Sequence, residues 1–90
     1  MFVERFDWDD ANVNHIARHD IVPDEVEEIF ISKYYLFRSR SSRYIVLGRT
    51  AEGRYLTCVF EKGDNPGLIR VVTARDMDHK ERTLFKRKVR

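Results

Sequence analysis

The stretch Arg43-Tyr44-Ile45-Val46-Leu47-Gly48-Arg49-Thr50, Ala51-Glu52-Gly53, Arg54-Tyr55-Leu56-Thr57-Cys58-Val59-Phe60-Glu61 decides the fold class. Two runs rich in β-branched and aromatic residues flank a short break, and Gly53 supplies the positive φ that a hairpin loop needs. Strand alternation puts Ile45 and Leu47 on one face of the first run, and Tyr44, Val46 and Gly48 on the other. In the second run Leu56, Cys58 and Phe60 share a face, which makes Cys58 a core residue rather than a reactive one.

Working outward, Tyr34–Arg38 reads as a preceding strand, ended by Ser39-Arg40-Ser41-Ser42, and Leu68–Ala74 as a following one, reached through the loop Lys62–Gly67. Upstream the pattern is helical. Asp7 is placed to cap a helix running to about Arg18, with Trp8, Ala11, Ile16 and His19 on one side. Pro23 opens a second helix with Asp24 and Glu25 in its first turn, and Val26, Ile29 and Phe30 form an apolar stripe. Downstream, Asp76 is placed to cap a last helix whose apolar side is Met77, Leu84 and Phe85. Helices, then strands, then a helix predict an α+β fold: N-terminal helices, an antiparallel sheet of about four strands and a C-terminal helix. Ninety residues predict a single domain over 1–90.

Composition narrows the function. The chain has no apolar run near the roughly 20 residues of a membrane span. Its start, Met1-Phe2-Val3-Glu4-Arg5, lacks the layout of a secretory signal, so a cytoplasmic site is expected and no membrane partner. One cysteine forms no internal disulfide and no cysteine metal cluster. His15, His19 and His79 are too scattered to make a ligand set, so neither metal nor cofactor is expected. The net charge of +2 hides a strong asymmetry: residues 1–31 carry −7, residues 32–67 carry +4 and residues 68–90 carry +5. Two readings stay open. Either the later part of the chain meets a polyanion, or acidic helices lie near a basic sheet and neutralise it.

The candidate chemistry is in arginines at strand ends: Arg43 and Arg49, Arg54, Arg70 and Arg75. In a meander such positions converge on a rim or a face, where guanidinium groups grip phosphate, often bidentately. The competing reading is that strand ends are charged because they are solvated. Glu81 shares the apolar side of the last helix, so its carboxylate needs a partner, and Arg75 or Arg70 is the natural one. That pair either fixes the helix on the sheet or orients an arginine toward a phosphate. His19, ending the first helix, is either a capping group or a proton-transfer group. Tyr34, Tyr35, Tyr44 and Tyr55 either cover the sheet or stack on bases.

The order of these motifs resembles the BrnT family of type II toxins, nearly end to end. The resemblance runs through Phe6-Asp7-Trp8-Asp9-Asp10-Ala11-Asn12, the pair Arg18-His19, Arg43 with Gly48-Arg49, the turn Gly53-Arg54, and Ile69-Arg70-Val71-Val72-Thr73-Ala74-Arg75 followed by Glu81. The Arg-x-x-[ST]-Ala-Arg segment with its downstream glutamate is the most specific part. The family usually has glycine where Asp20 stands, often lysine at Arg18, and tyrosine where Phe85 stands. The resemblance implies a RelE-like, metal-independent endoribonuclease that blocks translation. Its partner would be a BrnA-like ribbon-helix-helix antitoxin, which would also bring operator DNA. On this reading His19, Arg43, Arg54, Arg70, Arg75 and Glu81 are catalytic, and Arg18, Arg49 and Lys80 contact RNA. The alternative is a non-catalytic module binding nucleic acid or an acidic protein.

Overall fold

A computed structural model describes residues 2–89. The chain runs β1 (Arg5–Phe6), α1 (Asp10–Ala17), α2 (Pro23–Ile29), β2 (Tyr35–Arg38), β3 (Arg43–Arg49), β4 (Tyr55–Lys62), β5 (Leu68–Asp76) and α3 (His79–Lys88). One sheet holds the strands in the order β1-β5-β4-β3-β2. The four strands expected from the sequence form an antiparallel meander. The fifth, β1, corrects that expectation: it is two residues long and pairs parallel with β5, Arg5 beside Leu68 and Phe6 beside Ile69. So short a segment carries no period of its own, and only its partner makes it a strand.

The first helix starts later than expected. The Asp7 backbone N–H donates to the Ile69 carbonyl at 2.8 Å, which keeps that residue on the sheet edge. Asp9 is the cap instead: its carboxylate accepts from the Asn12 N–H at 3.1 Å, while the Asn12 Oδ1 accepts from the Asp9 N–H at 2.8 Å. Asn12 is also buried, donating from Nδ2 to the carbonyls of Asp7 (2.9 Å) and Val71 (3.2 Å), so it fastens α1 to β5 with its hydrogen bonds satisfied. Trp8 therefore precedes the helix, packs against the core and donates from Nε1 to Glu27 at 2.8 Å. Of the residues expected on the buried side, Ile16 is buried, whereas Ala11 and His19 are exposed.

At the other end Asp76 is not a cap but the last residue of β5. The Asp78 carboxylate accepts from the Glu81 N–H at 2.8 Å, and Glu81 returns the bond to the Asp78 N–H at 2.9 Å. That is a capping box with the acid three residues on.

The sheet is packed on both faces. Ile16, Ile21, Val26 and Ile29 of the α1–α2 region meet Val46, Leu56, Cys58, Phe60, Ile69, Val71 and Ala74. On the opposite face α3 covers a smaller cluster of Leu47, Met77 and Phe85, with Ile45, Tyr35, Phe37, Tyr55 and Leu84 around it. The expected alternation of β3 and β4 holds. Gly48 is where α2 presses closest, since a Cβ there would lie 2.6 Å from the Ile29 Cβ. Between Val59 and Phe60 the β4–β5 register shifts, leaving Val72 as the extra residue of a bulge.

Candidate active site

Strand direction sorts the arginines. β3 and β5 finish, and β4 begins, at one end of the sheet, called here the near rim; Arg49, Arg54 and Arg75 lie there. Arg43 and Arg70 lie at the far rim, where both are register partners of Glu61. Arg70 and Arg75 are five residues apart on one strand, roughly 16 Å at about 3.3 Å per residue. The expected meeting of all these guanidinium groups at one phosphate is therefore corrected, because a β-strand is rigid and extended and cannot fold its two ends together.

At the far rim Arg70 reaches the N-terminal acids, with Nη1 2.9 Å from an Asp9 oxygen and 3.4 Å from Asp7. Its hydrogen bond to Asp9 holds that carboxyl below the usual range. Arg43 has only a long 3.9 Å contact to Glu61, with both side chains nearly half exposed. His15 shares a shallow cleft with Arg43, Glu61 and Arg70.

The near rim is more tightly built. Arg54 Nε and Nη2 donate side-on to the two Asp76 carboxylate oxygens at 2.8 and 3.2 Å. Nη1 donates to the Asp20 carbonyl at 2.7 Å and to Glu25, and Nη2 to the His19 carbonyl at 3.1 Å. A guanidinium has five N–H groups, and here every one has a partner inside the chain. Arg54 thereby ties the α1–α2 turn, with Asp20 at φ 61°, to the end of β5 and to α2. The Asp76 carboxyl is held below its ordinary value, first by its bond to Arg54 and also by the nearby His19.

Arg75 is engaged differently. Nη1 and Nη2 donate end-on to the Glu81 oxygens at 2.7 and 2.8 Å, and Nη1 also donates to the Asp76 carbonyl at 3.2 Å. That leaves Nε–H and one Nη2–H, the side-on edge that matches a carboxylate or a phosphate. The side chain is 42% exposed. Glu81 is steadied from below by the Thr57 hydroxyl, which donates to it at 3.0 Å. Desolvation pushes the Glu81 carboxyl up, but the bonds from Arg75, the Asp78 N–H and Thr57 outweigh it and hold it below its ordinary value.

Of the two partners expected for Glu81, Arg75 and Arg70, the structure shows Arg75. Sequence reasoning missed Asp76, Glu25 and Thr57. Thr57 was within reach, since alternation places it opposite Leu56 and Cys58 on the α3 face, whereas no local signal brings Glu25 to Arg54. Arg18 caps the end of α1 and Lys80 stands in the first turn of α3, both exposed. Arg49 lies over the Tyr55 ring, 5.4 Å from its centroid. Burial pushes the Cys58 thiol up, so it is inert core. Among the described residues no three His, Cys, Asp or Glu side chains gather as metal ligands, and no helix is long and apolar enough to cross a membrane.

Known proteins bear on what this chain does. No curated relative matches the sequence. Among solved structures, the crystal structure of the Brucella abortus ribonuclease toxin BrnT matches with a TM-score of 0.68 at 19% identity, covering 83% of this chain and 97% of that one. At that identity the likeness shows a shared fold. The family model for the ribonuclease toxin BrnT of type II toxin-antitoxin systems matches residues 8–81, from Trp8 through Glu81. With most of its length matched, this chain belongs to the BrnT family and is an endoribonuclease toxin of a type II toxin–antitoxin system.

Proposed function

We propose that the toxin cuts RNA at the near rim, by attack of a 2′-hydroxyl on the neighbouring phosphate and without a metal ion. The observation that carries this reading is the free side-on edge of Arg75, a bidentate phosphate donor held in place by Glu81. A phosphorane gains charge in the transition state, and each well-placed donor is worth a few kcal/mol there. Glu81 keeps Arg75 from swinging away, and Thr57 keeps Glu81 in its rotamer. His19 is the proton-transfer group, on a turn whose carbonyls are anchored by Arg54. Arg54, with no N–H to spare, is a positioning residue. Arg18 and Lys80 contact flanking RNA. Arg43 and Arg70, at the far rim, take no part in bond breaking; Arg70 serves to fasten the N-terminal segment to the sheet, and Arg43 faces Glu61 across the β3–β4 pair.

Residues 1–90 act as one domain in the cytoplasm, where RNA cleavage inhibits translation. A ribbon-helix-helix antitoxin neutralises the toxin and carries the pair to operator DNA; the support for that partner is family membership alone. The test is purified protein with single-stranded RNA in chelator. Expected are fragments with 2′,3′-cyclic phosphate and 5′-hydroxyl ends, and a loss of about a hundredfold or more for His19→Ala and Arg75→Ala. RNA left intact, or Arg75→Ala cutting as well as the unaltered protein, overturns the reading.

A further inference from the structure

The α3 side of the near rim holds cations that form no ion pair with any described carboxylate. The Tyr55 ring is surrounded by Arg82 at 4.4 Å, Arg49 at 5.4 Å and Lys86 at 5.6 Å from its centroid. Among the described residues none of the three forms an ion pair with a carboxylate. Tyr55 is itself fixed edge-to-face on Phe85, at 5.8 Å between centroids. Three like charges round one ring repel one another, and the ring's negative face offsets only part of that cost.

We propose that Arg49, Arg82 and Lys86 form a phosphate track that holds single-stranded RNA beside the cutting position. The geometry gives the direction. Arg49 is the register partner of Tyr55, and Thr57, two residues along on the same face of β4, is the partner of Arg75. Tyr55 and Thr57 are thus about 7 Å apart. On α3, Arg82 follows Glu81, and Lys86 lies one turn further on. The three cations therefore continue away from Arg75; Glu28 shares a cleft with Arg49 on the α2 side but makes no ion pair with it. Because cations already crowd the Tyr55 ring, it does not serve as a platform for a base. The track grips backbone and is tolerant of sequence.

The choice of RNA over an acidic protein rests on what the surface lacks. Protein interfaces are anchored by buried apolar and aromatic residues. Among the described residues the large hydrophobics most exposed are Phe2, Val22 and Ile31; Ile31 shares a cleft with Arg49 on the α2 side of the hairpin loop, and none of the three stands on α3. The cations of α3, Arg82 and Lys86, thus have no exposed large hydrophobic on their own helix to anchor a protein, which suits a polyanion.

This proposal rests on the reading that Arg75 holds the scissile phosphate, and its test is separable from it. An oligoribonucleotide with every 2′-hydroxyl methylated binds but is not cut, so its affinity reports binding apart from cleavage, and the difference between variants reports the track. The probe is titrated against the unaltered protein and an Arg49→Gln, Arg82→Gln, Lys86→Gln triple variant over a range of salt. Expected are an affinity loss of at least tenfold and a log–log salt slope shallower by about 2, at about 0.7 per cation for single strands. On cleavable RNA the KM rises correspondingly. A control triple at the far rim, Arg5→Gln, Arg38→Gln, Arg40→Gln, removes the same charge and leaves affinity within about threefold. Equal loss in both triples, or an unchanged slope in the first, overturns the track. So does a first triple that binds the probe normally yet no longer binds the antitoxin, which makes this face a protein interface. If the probe results hold while natural RNA stays intact, the track stands and the cleavage reading falls.

Discussion

Arg54 and Arg49 sit five residues apart across one hairpin loop, yet they meet opposite fates. Arg54 turns toward the N-terminal helices and is consumed by Glu25, Asp76 and two turn carbonyls. Arg49 lies against Gly53 and the Tyr55 ring and forms no ion pair with a carboxylate among the described residues. The same division governs the whole chain. The −7 of residues 1–31 is spent partly on Arg54 and Arg70, through Glu25, Asp7 and Asp9, while α3 carries its own cations to the other side of the sheet. Internal neutralisation is thus seen on the side of the N-terminal helices, while the cations of the α3 side are left for the polyanion proposed above. An arginine's surroundings, rather than its position at a strand end, decide whether it is structural or available.

The largest contrast should appear in catalysis. Arg75→Ala is expected to lower RNA cleavage by about 100-fold to 1,000-fold, against a few-fold for Arg70→Ala, as measured by initial rates on one substrate. Comparable losses would mean that the two rims are not functionally distinct.

Stability comes next. Arg54→Ala strands two carboxylates and two carbonyls and is expected to cost about 2 to 3 kcal/mol in denaturant unfolding. Arg82→Ala, on the available side, should stay within about 0.5 kcal/mol. Equal costs would erase the distinction between consumed and free arginines.

Acid sharpens it further. Asp9, Asp76 and Glu81 all have carboxyls held below their ordinary values. Their contribution is complete above the unfolded pKa of about 4 and is lost as pH falls through the folded value. Stability should therefore decline below about pH 4, and Asp76→Asn should make that decline shallower in thermal melts from pH 5 to pH 2. A decline unchanged in Asp76→Asn would show that Asp76 does not contribute.

The smallest effect concerns Asp20, which adopts φ 61° where the family usually has glycine. Asp20→Gly relieves the left-handed strain but loosens the unfolded chain, so the net change in Tm should be within about a degree or two either way. A fall of many degrees would mean that the Asp20 side chain, and not only its carbonyl, holds the turn.

Much of this was open to reading in the residues themselves. Alternation in β3 and β4 sorts Leu47 from Val46, and Thr57 from Cys58, because side chains on a strand have a period of two whatever surrounds them. That Glu81 pairs with an arginine was legible because a carboxylate on an apolar helix stripe must find a cation, whereas the choice of Arg75 over Arg70 waited on the strand's direction. The starts of α1 and α3 were misplaced by two residues each, since several aspartates compete for each cap and the sheet edge, not the helix, claims Asp7 and Asp76. β1 was invisible because two residues carry no period of their own.

The sequence by itself determined which segments are helix and strand, which faces are apolar, and that basic residues gather late in the chain. Those properties depend on neighbours a few bonds away. Only the tertiary structure decided which arginines are neutralised and which remain open to a phosphate. That outcome depends on residues brought together from distant parts of the chain, such as Glu25 with Arg54, and no spacing along the chain encodes it.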